Sequence, residues 1–215
     1  MRVLGIDTSG PACDVAVLDG EKLLANTKSE MSRGQDARLP GIVRDCVAEA
    51  GVSLNEIDRI AVVSGPGSFT GVRVGISFAR GLALALGIPC VGVTSLAAAL
   101  PAGQQGSAIV LLPAKRRPPE ISYWAQRFRS GEAVAPPEEI TLDDLVNELK
   151  AHPHFVYGAG LDALSERMPG LACHEAGPTA AMAGTSALKA DADRAQPTAV
   201  YVRGPDAALP GGKRR

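Results

Sequence analysis

Apolar residues along the first hundred positions change period several times, and each change marks an element. Arg2–Asp7, Ala12–Leu18 and Lys22–Thr27 read as strands. Gly10-Pro11 and Asp19-Gly20-Glu21 between them supply turn chemistry for two consecutive antiparallel connections, so a meander is expected. From Asp36 to Ala50 the period lengthens: Leu39, Ile42, Val43, Cys46, Val47 and Ala50 follow the i, i+3, i+4, i+7, i+8, i+11 spacing of one helical face. Pro40 suits the first turn of that helix and Gly51 its stop. A strand at Arg59–Val63, a helix at Phe69–Leu86 ending at Gly87, a strand at Cys90–Val93 and a short helix at Ser95–Leu100 follow.

After the loop Pro101–Gly106 the same grammar restarts in weaker form. Strands are expected at Ser107–Leu112 and Glu120–Arg129, with a third near Ala133. Thr141 caps a helix at Leu142–Lys150; then come strand Phe155–Tyr157, a helix after Gly160, strand Leu171–His174 and a last helix near Ala180–Ala190. Three strands followed by alternating helices and strands, stated twice, is the order of an α/β, actin-like (ASKHA, ribonuclease-H-like) two-lobe fold with mixed sheets covered by helices. The expected division is an N-terminal lobe at 1–103, a smaller second lobe at 104–203 and a mobile tail at 204–215.

Composition narrows the classes. The 215 residues carry 22 Lys plus Arg against 23 Asp plus Glu, a formal net charge of -1, so no global field draws a polyanion. An RNA partner would have to be held mainly by another subunit. The four cysteines, at 13, 46, 90 and 173, form no Cys-x-x-Cys pair or zinc spacing, which fits a reduced, cytoplasmic setting. Asp7 arrives too soon for the apolar core of a secretory signal. Gly81 to Ala114 lacks any charge and exceeds the roughly 20 residues that span a bilayer. Gly87, Pro89, Gly92, Pro101 and Gly103 break that run, so no membrane segment is expected.

Candidate chemistry centres on Val63-Ser-Gly-Pro-Gly-Ser-Phe-Thr-Gly-Val-Arg-Val-Gly75, a strand, a glycine turn and a helix start whose amides could cradle an anion. A phosphate-binding P-loop is excluded, because no lysine occurs between Lys28 and Lys115. A dinucleotide fingerprint fits poorly: the glycines are Gly65, Gly67 and Gly71, and the next strand ends in Val93-Thr94-Ser95 without an acid. Ser68 lacks the Gly-x-Ser-x-Gly spacing of a hydrolase nucleophile, and Ser68 or Thr70 reads as a helix cap. In an actin-like kinase Asp7 would hold magnesium through water, but the second acid that such a clamp needs is not found. Asp7 and Thr8, with Gly158 and Gly160 as the remnant of a second-lobe nucleotide turn, are therefore vestigial cofactor-binding candidates. His152-Pro153-His154, with Cys173-His174 at a distance, is a weak metal set. Lys115-Arg116-Arg117 with Tyr123 and Trp124 could touch RNA or form a solvated hairpin loop. No cofactor is expected.

Gly65-Pro-Gly-Ser-Phe-Thr-Gly-Val-Arg-Val-Gly75, taken with Gly5-Ile-Asp-Thr-Ser9 and Gly92-Val-Thr-Ser-Leu96, resembles the bacterial TsaB (YeaZ) family. Leu39-Pro40 with Ile42 resembles that family's Leu-Pro-x-Ile helix. Beyond residue 100 the likeness thins to Ala114-Lys115-Arg116 with Glu120-Ile121-Ser122-Tyr123, and Tyr201-Val202-Arg203; Pro113 stands where the family has an acid.

The resemblance implies a non-catalytic partner of TsaD, acting with the ATPase TsaE to form threonylcarbamoyladenosine beside the anticodon of tRNA. It implies a heterodimer with TsaD, a homodimer when alone, and tRNA reached through the complex. TsaD resembles Val-Asn-His-x-x-x-His after its next strand, where this chain reads Val93-Thr94-Ser95-Leu96-Ala97-Ala98-Ala99 without either histidine. Gly71, Gly75 and Ala79 lie four apart and form a smooth strip for a close helix neighbour. Val72 and Ile76 mark a neighbouring apolar strip, and spacing alone allows these strips to pack on the lobe's own sheet or on a partner; the resemblance makes them, with Leu39, Ile42, Val43 and Cys46 on the preceding helix, the expected partner interface. The other reading is a small actin-like kinase or ATPase using Asp7.

Overall fold

The structure is a computed structural model describing residues 1–31, 34–117, 120–193 and 195–202. The strands β1 (Arg2–Asp7), β2 (Ala12–Asp19) and β3 (Lys22–Glu30) form the expected meander. Helix α1 (Gln35–Glu49), strand β4 (Arg59–Val63), helix α2 (Phe69–Leu86) and strand β5 (Cys90–Val93) follow. The sheet order is β3-β2-β1-β4-β5, with β1, β4 and β5 parallel. Period two along the strands sends Leu4, Ile6, Val15 and Val17 to a core under α1 and α2, and Val3, Ala16 and Leu18 to the opposite face. Gly51, at φ +70, ends α1 as predicted: its N–H reaches the Ala48 carbonyl at 3.0 Å while that of Val52 reaches Val47. Pro40 lies in the second turn of α1, not the first.

The second sheet repeats the plan. Strands β6 (Ser107–Arg117), β7 (Glu120–Arg129), β8 (Glu132–Ala133), β9 (Glu138–Thr141), β10 (Phe155–Gly158) and β11 (Cys173–Glu175) run β11-β10-β6-β7-β8, with β9 also paired to β7. Splitting the third strand into β8 and β9 leaves the same order as the first sheet, so the chain is a duplicated α/β unit with the actin-like, ribonuclease-H-like topology. Strand β9 has no sequence signal, because Pro136-Pro137 and the acids Glu138-Glu139 read as loop. Helices α3 (Leu142–Ala151) and α4 (Asp162–Arg167) cover this sheet; the Thr141 hydroxyl accepts the Asp144 N–H at α3.

Between the lobes the expected helix Ser95–Leu100 is one 3-10 turn, Ala97–Ala99. Leu96, Ala99 and Leu100 pack there against Ala108, Val110, Leu112 and Phe128, and the Thr94 hydroxyl bonds the Gln126 side chain at 2.7 Å. The charge-free run Gly81–Ala114 is thus divided among α2, β5, this wedge and β6. Among the described residues only α2 is long and apolar enough to cross a membrane; one face of it is packed on the first sheet.

The division at 104–203 needs correction. Helix α5 (Ala180–Lys189) lies on the free face of the first sheet, not in the second lobe. Ala183 and Ala187 join Val3, Ala61, Val63 and Val91, and Gly5 admits the helix so closely that a β-carbon there would lie 2.0 Å from the Ala180 carbonyl oxygen. The chain then runs along the same lobe, Gly92 N–H bonding Ala195 and Val200 N–H bonding Ser64 at 2.8 Å each. An alanine-rich helix carries no mark of which sheet it will cover. Arg203 and the tail at 204–215, and the side chains of Lys115, Arg116 and Arg117, lie outside the described residues.

Candidate functional site

The glycine phrase folds against the end of β1. Ser68 caps α2, its hydroxyl accepting the Gly71 N–H at 3.2 Å, while the Ser68 N–H bonds the Ser9 carbonyl at 2.7 Å. The Thr8 hydroxyl donates to the Gly71 carbonyl at 2.7 Å. A β-carbon on Gly71 would meet the Thr8 carbonyl oxygen at 2.0 Å, and one on Gly75 the Thr8 hydroxyl at 2.4 Å. These glycines let α2 settle on the Asp7–Ser9 turn of its own chain, and that contact offsets their cost within a helix. Gly65, at φ +97, precedes a cis peptide to Pro66, and its carbonyl accepts the Ser95 N–H.

Asp7 is 6% exposed, and one carboxylate oxygen accepts the Ser9 N–H at 2.8 Å. Burial, aided by the charge of Asp14, pushes its carboxyl above the usual aspartate range. Asp14 stands opposite Asp7 in the β1–β2 ladder and is buried as well. Both Asp14 oxygens are engaged, one by the Asn26 amide at 2.7 Å and the other by the Ala180 N–H at 2.9 Å. Asp14 is thus a charge-assisted anchor for the start of α5. Its signal in the sequence was present: it is the lone acid within the apolar run Ala12–Leu18.

Gly158 and Gly160 contact β6. A β-carbon on Gly158 would touch the Leu111 carbonyl oxygen at 2.1 Å, and one on Gly160 the Pro113 ring at 2.9 Å. No hydrogen bond joins them to Asp7 or Thr8. One buried carboxylate beside a fully engaged neighbour does not make a magnesium site. Among the described residues no group of three or more His, Cys, Asp or Glu side chains is placed to hold a metal. His154 lies 3.8 Å from Glu148, which Arg127 also holds, and burial lowers the imidazole's proton affinity. At the positions matching the TsaD histidines, Ser95 is buried with its hydroxyl unpartnered, and Ala99 is part of the apolar wedge.

The expected interface strip is corrected by burial. Leu39, Ile42, Val43, Cys46, Val72, Ile76 and Ala79 belong to the core between the helices and the first sheet, and Gly71 and Gly75 are buried beside Thr8. A helix has one face per direction, and this one is used internally. The outward face of α2 instead presents Phe69, Thr70, Arg73, Ser77, Arg80, Gly81, Leu84 and Ala85. Phe69 and Leu84 are 53% and 85% exposed, and Gly81 has open space around it. A shallow groove of about 600 Å³ runs along Asp36, Phe69, Thr70, Arg73, Val74, Ser77 and Phe78.

Residues 24–129 match the family model described as TsaD, tRNA N6-adenosine threonylcarbamoyltransferase. The tRNA threonylcarbamoyladenosine biosynthesis protein TsaB of Escherichia coli is 36% identical over 141 residues, 65% of this chain; the chain spans 60% of that relative's length. Among solved structures, YeaZ from Pseudomonas aeruginosa is 32% identical with a TM-score of 0.66, covering 93% of this chain and 99% of that one. A second Pseudomonas aeruginosa structure, an uncharacterized protein with similarity to peptidase YeaZ, is 30% identical with a TM-score of 0.72, covering 94% and 99%.

Proposed function

The chain belongs to the TsaB (YeaZ) family, and on that basis we propose that it is a non-catalytic subunit in forming threonylcarbamoyladenosine on tRNA, pairing with a TsaD-class transferase. The observation that carries the reading is the outward face of α2, where Phe69 and Leu84 stand in solvent on a helix whose only charges are Arg73 and Arg80. Exposed large apolar side chains on a regular helix suit a helix-to-helix contact with another chain. The same face would serve a homodimer when the transferase is absent, and the joint surface would receive TsaE and tRNA in the cytoplasm.

The acids support a partner role over an ATPase using Asp7, since Asp14 is committed to α5 and Asp7 is buried. Ser68 caps a helix, and the three histidines, His152, His154 and His174, all belong to the second lobe, so a serine-peptidase reading gains no support. The test is co-expression with the transferase of the same organism, followed by size-exclusion chromatography and calorimetric titration of the isolated chain with magnesium nucleotide. Co-elution and no nucleotide heat are expected. Tight nucleotide binding without co-elution would favour the ATPase.

A further inference from the structure

On the outward face of α2 the Arg73 guanidinium lies 3.8 Å above the Phe69 ring and 5.8 Å from the Tyr201 ring. Its Nε donates to the Tyr201 hydroxyl at 2.9 Å, and the two rings lie 5.7 Å apart in a tilted pair. Phe69 comes from the first turn of α2 and Tyr201 from the strap that follows α5, so the clasp forms only when the strap is in place. The bond from Nε to the hydroxyl leaves the two terminal amino groups as an open fork. Among the described residues no carboxylate lies within salt-bridge distance of that fork. An arginine without a clasp samples many rotamers; this one is held in a single orientation before any ligand arrives.

We propose that Arg73 is a pre-aligned receptor for a carboxylate on the partner chain, with Phe69 and Tyr201 as its positioning residues. The inference rests on the partner reading above. A fork of two N–H pairs matches a carboxylate or a phosphate bidentately. The surroundings select the former: Val74, Ser77 and Phe78 line the adjoining groove with Asp36 as its one acid, Leu84 is exposed farther along α2, and Arg80 is the only other cation on that helix. Phosphate tracks are met by several cations together, whereas an arginine between aromatics beside apolar surface is the composition of a protein-interface hot spot.

The experiment measures the affinity of the chain for the purified transferase by calorimetry. Arg73→Ala is expected to weaken binding about 30-fold or more, and Arg73→Lys to recover little of it, because an ammonium cannot form the fork. Tyr201→Phe keeps the ring and should cost roughly 3- to 10-fold. In the Arg73→Ala background Tyr201→Phe should have no further effect, whereas a purely structural tyrosine would add its loss in full. Thermal melts of the variants should match the parent. Unchanged affinity of Arg73→Ala, while the parent binds, overturns this inference and leaves the partner reading intact; a parent that does not bind overturns both. Loss of bare tRNA binding with unchanged protein affinity would reassign the fork to phosphate.

Discussion

Thr8 and Gly71 are locked face to face: the threonine hydroxyl bonds the glycine carbonyl at 2.7 Å, and the glycine hydrogen points at the threonine carbonyl oxygen, where a β-carbon would sit at 2.0 Å. The contact fixes how α2 leaves the glycine turn, and therefore which face of α2 remains outside.

Gly71→Ala should be strongly destabilising, because the obstructing atom is backbone and cannot rotate away; a loss of about 3 kcal/mol or more is expected. Gly81→Ala, with nothing near its missing side chain, should instead gain about 0.5–1 kcal/mol from helix propensity. Thermal melts of the two variants decide the matter, and equal effects would contradict the packing described.

Asp14→Ala should remove the anchor of α5. The buried Ala180 N–H loses its acceptor, and the exposed Asn26 amide keeps only its bond to the Val15 carbonyl, at a cost of about 1–3 kcal/mol. Limited proteolysis should cut between β11 and the strap faster in the variant than in the parent.

Asp7→Asn keeps an oxygen for the Ser9 N–H while abolishing the titration. Burial raises the folded carboxyl, so over a window opening at the ordinary aspartate range the folded chain retains a proton that the unfolded chain has lost. The parent therefore loses stability as pH rises through that window. The variant should melt higher than the parent near neutral pH, and the gap should close in acid. A lower neutral melting temperature for the variant would refute this.

Arg127 bonds Glu148 at 2.5 Å and also Glu138, and its bonds to Glu148 hold that carboxyl below its usual range despite burial. Its stability is present above the ordinary glutamate value and lost as pH falls through the lowered one. Arg127→Leu should cost about 1–3 kcal/mol near neutral pH by removing the guanidinium bonds of the partly buried Glu148 and leaving it only His154 at 3.8 Å, and should flatten the acid limb of a stability–pH curve.

Leu84→Glu alters a side chain that is 85% exposed, so stability should move by no more than about 0.5 kcal/mol. Association with the transferase should weaken, as read by co-elution; retention of full binding would move the proposed contact off α2.

The sequence by itself determined the elements of the first lobe closely, since Arg59–Val63, Phe69–Leu86 and Cys90–Val93 are set by local period, capping and glycine stops. It also determined that the glycine phrase is a strand, turn and helix start, and that the histidine pair is missing. Tertiary structure alone decided direction. Leu39, Ile42, Gly71 and Gly75 mark a face that something must cover, and period cannot say whether the cover is a partner or the chain's own sheet; Thr8 and the β1–β4 core take it. The same holds for α5, whose small residues fit either lobe until Asp14 and Gly5 fix it on the first. The Arg73 clasp has no local signal either, because Phe69 and Tyr201 stand 132 positions apart in the chain and meet only once it has closed on itself.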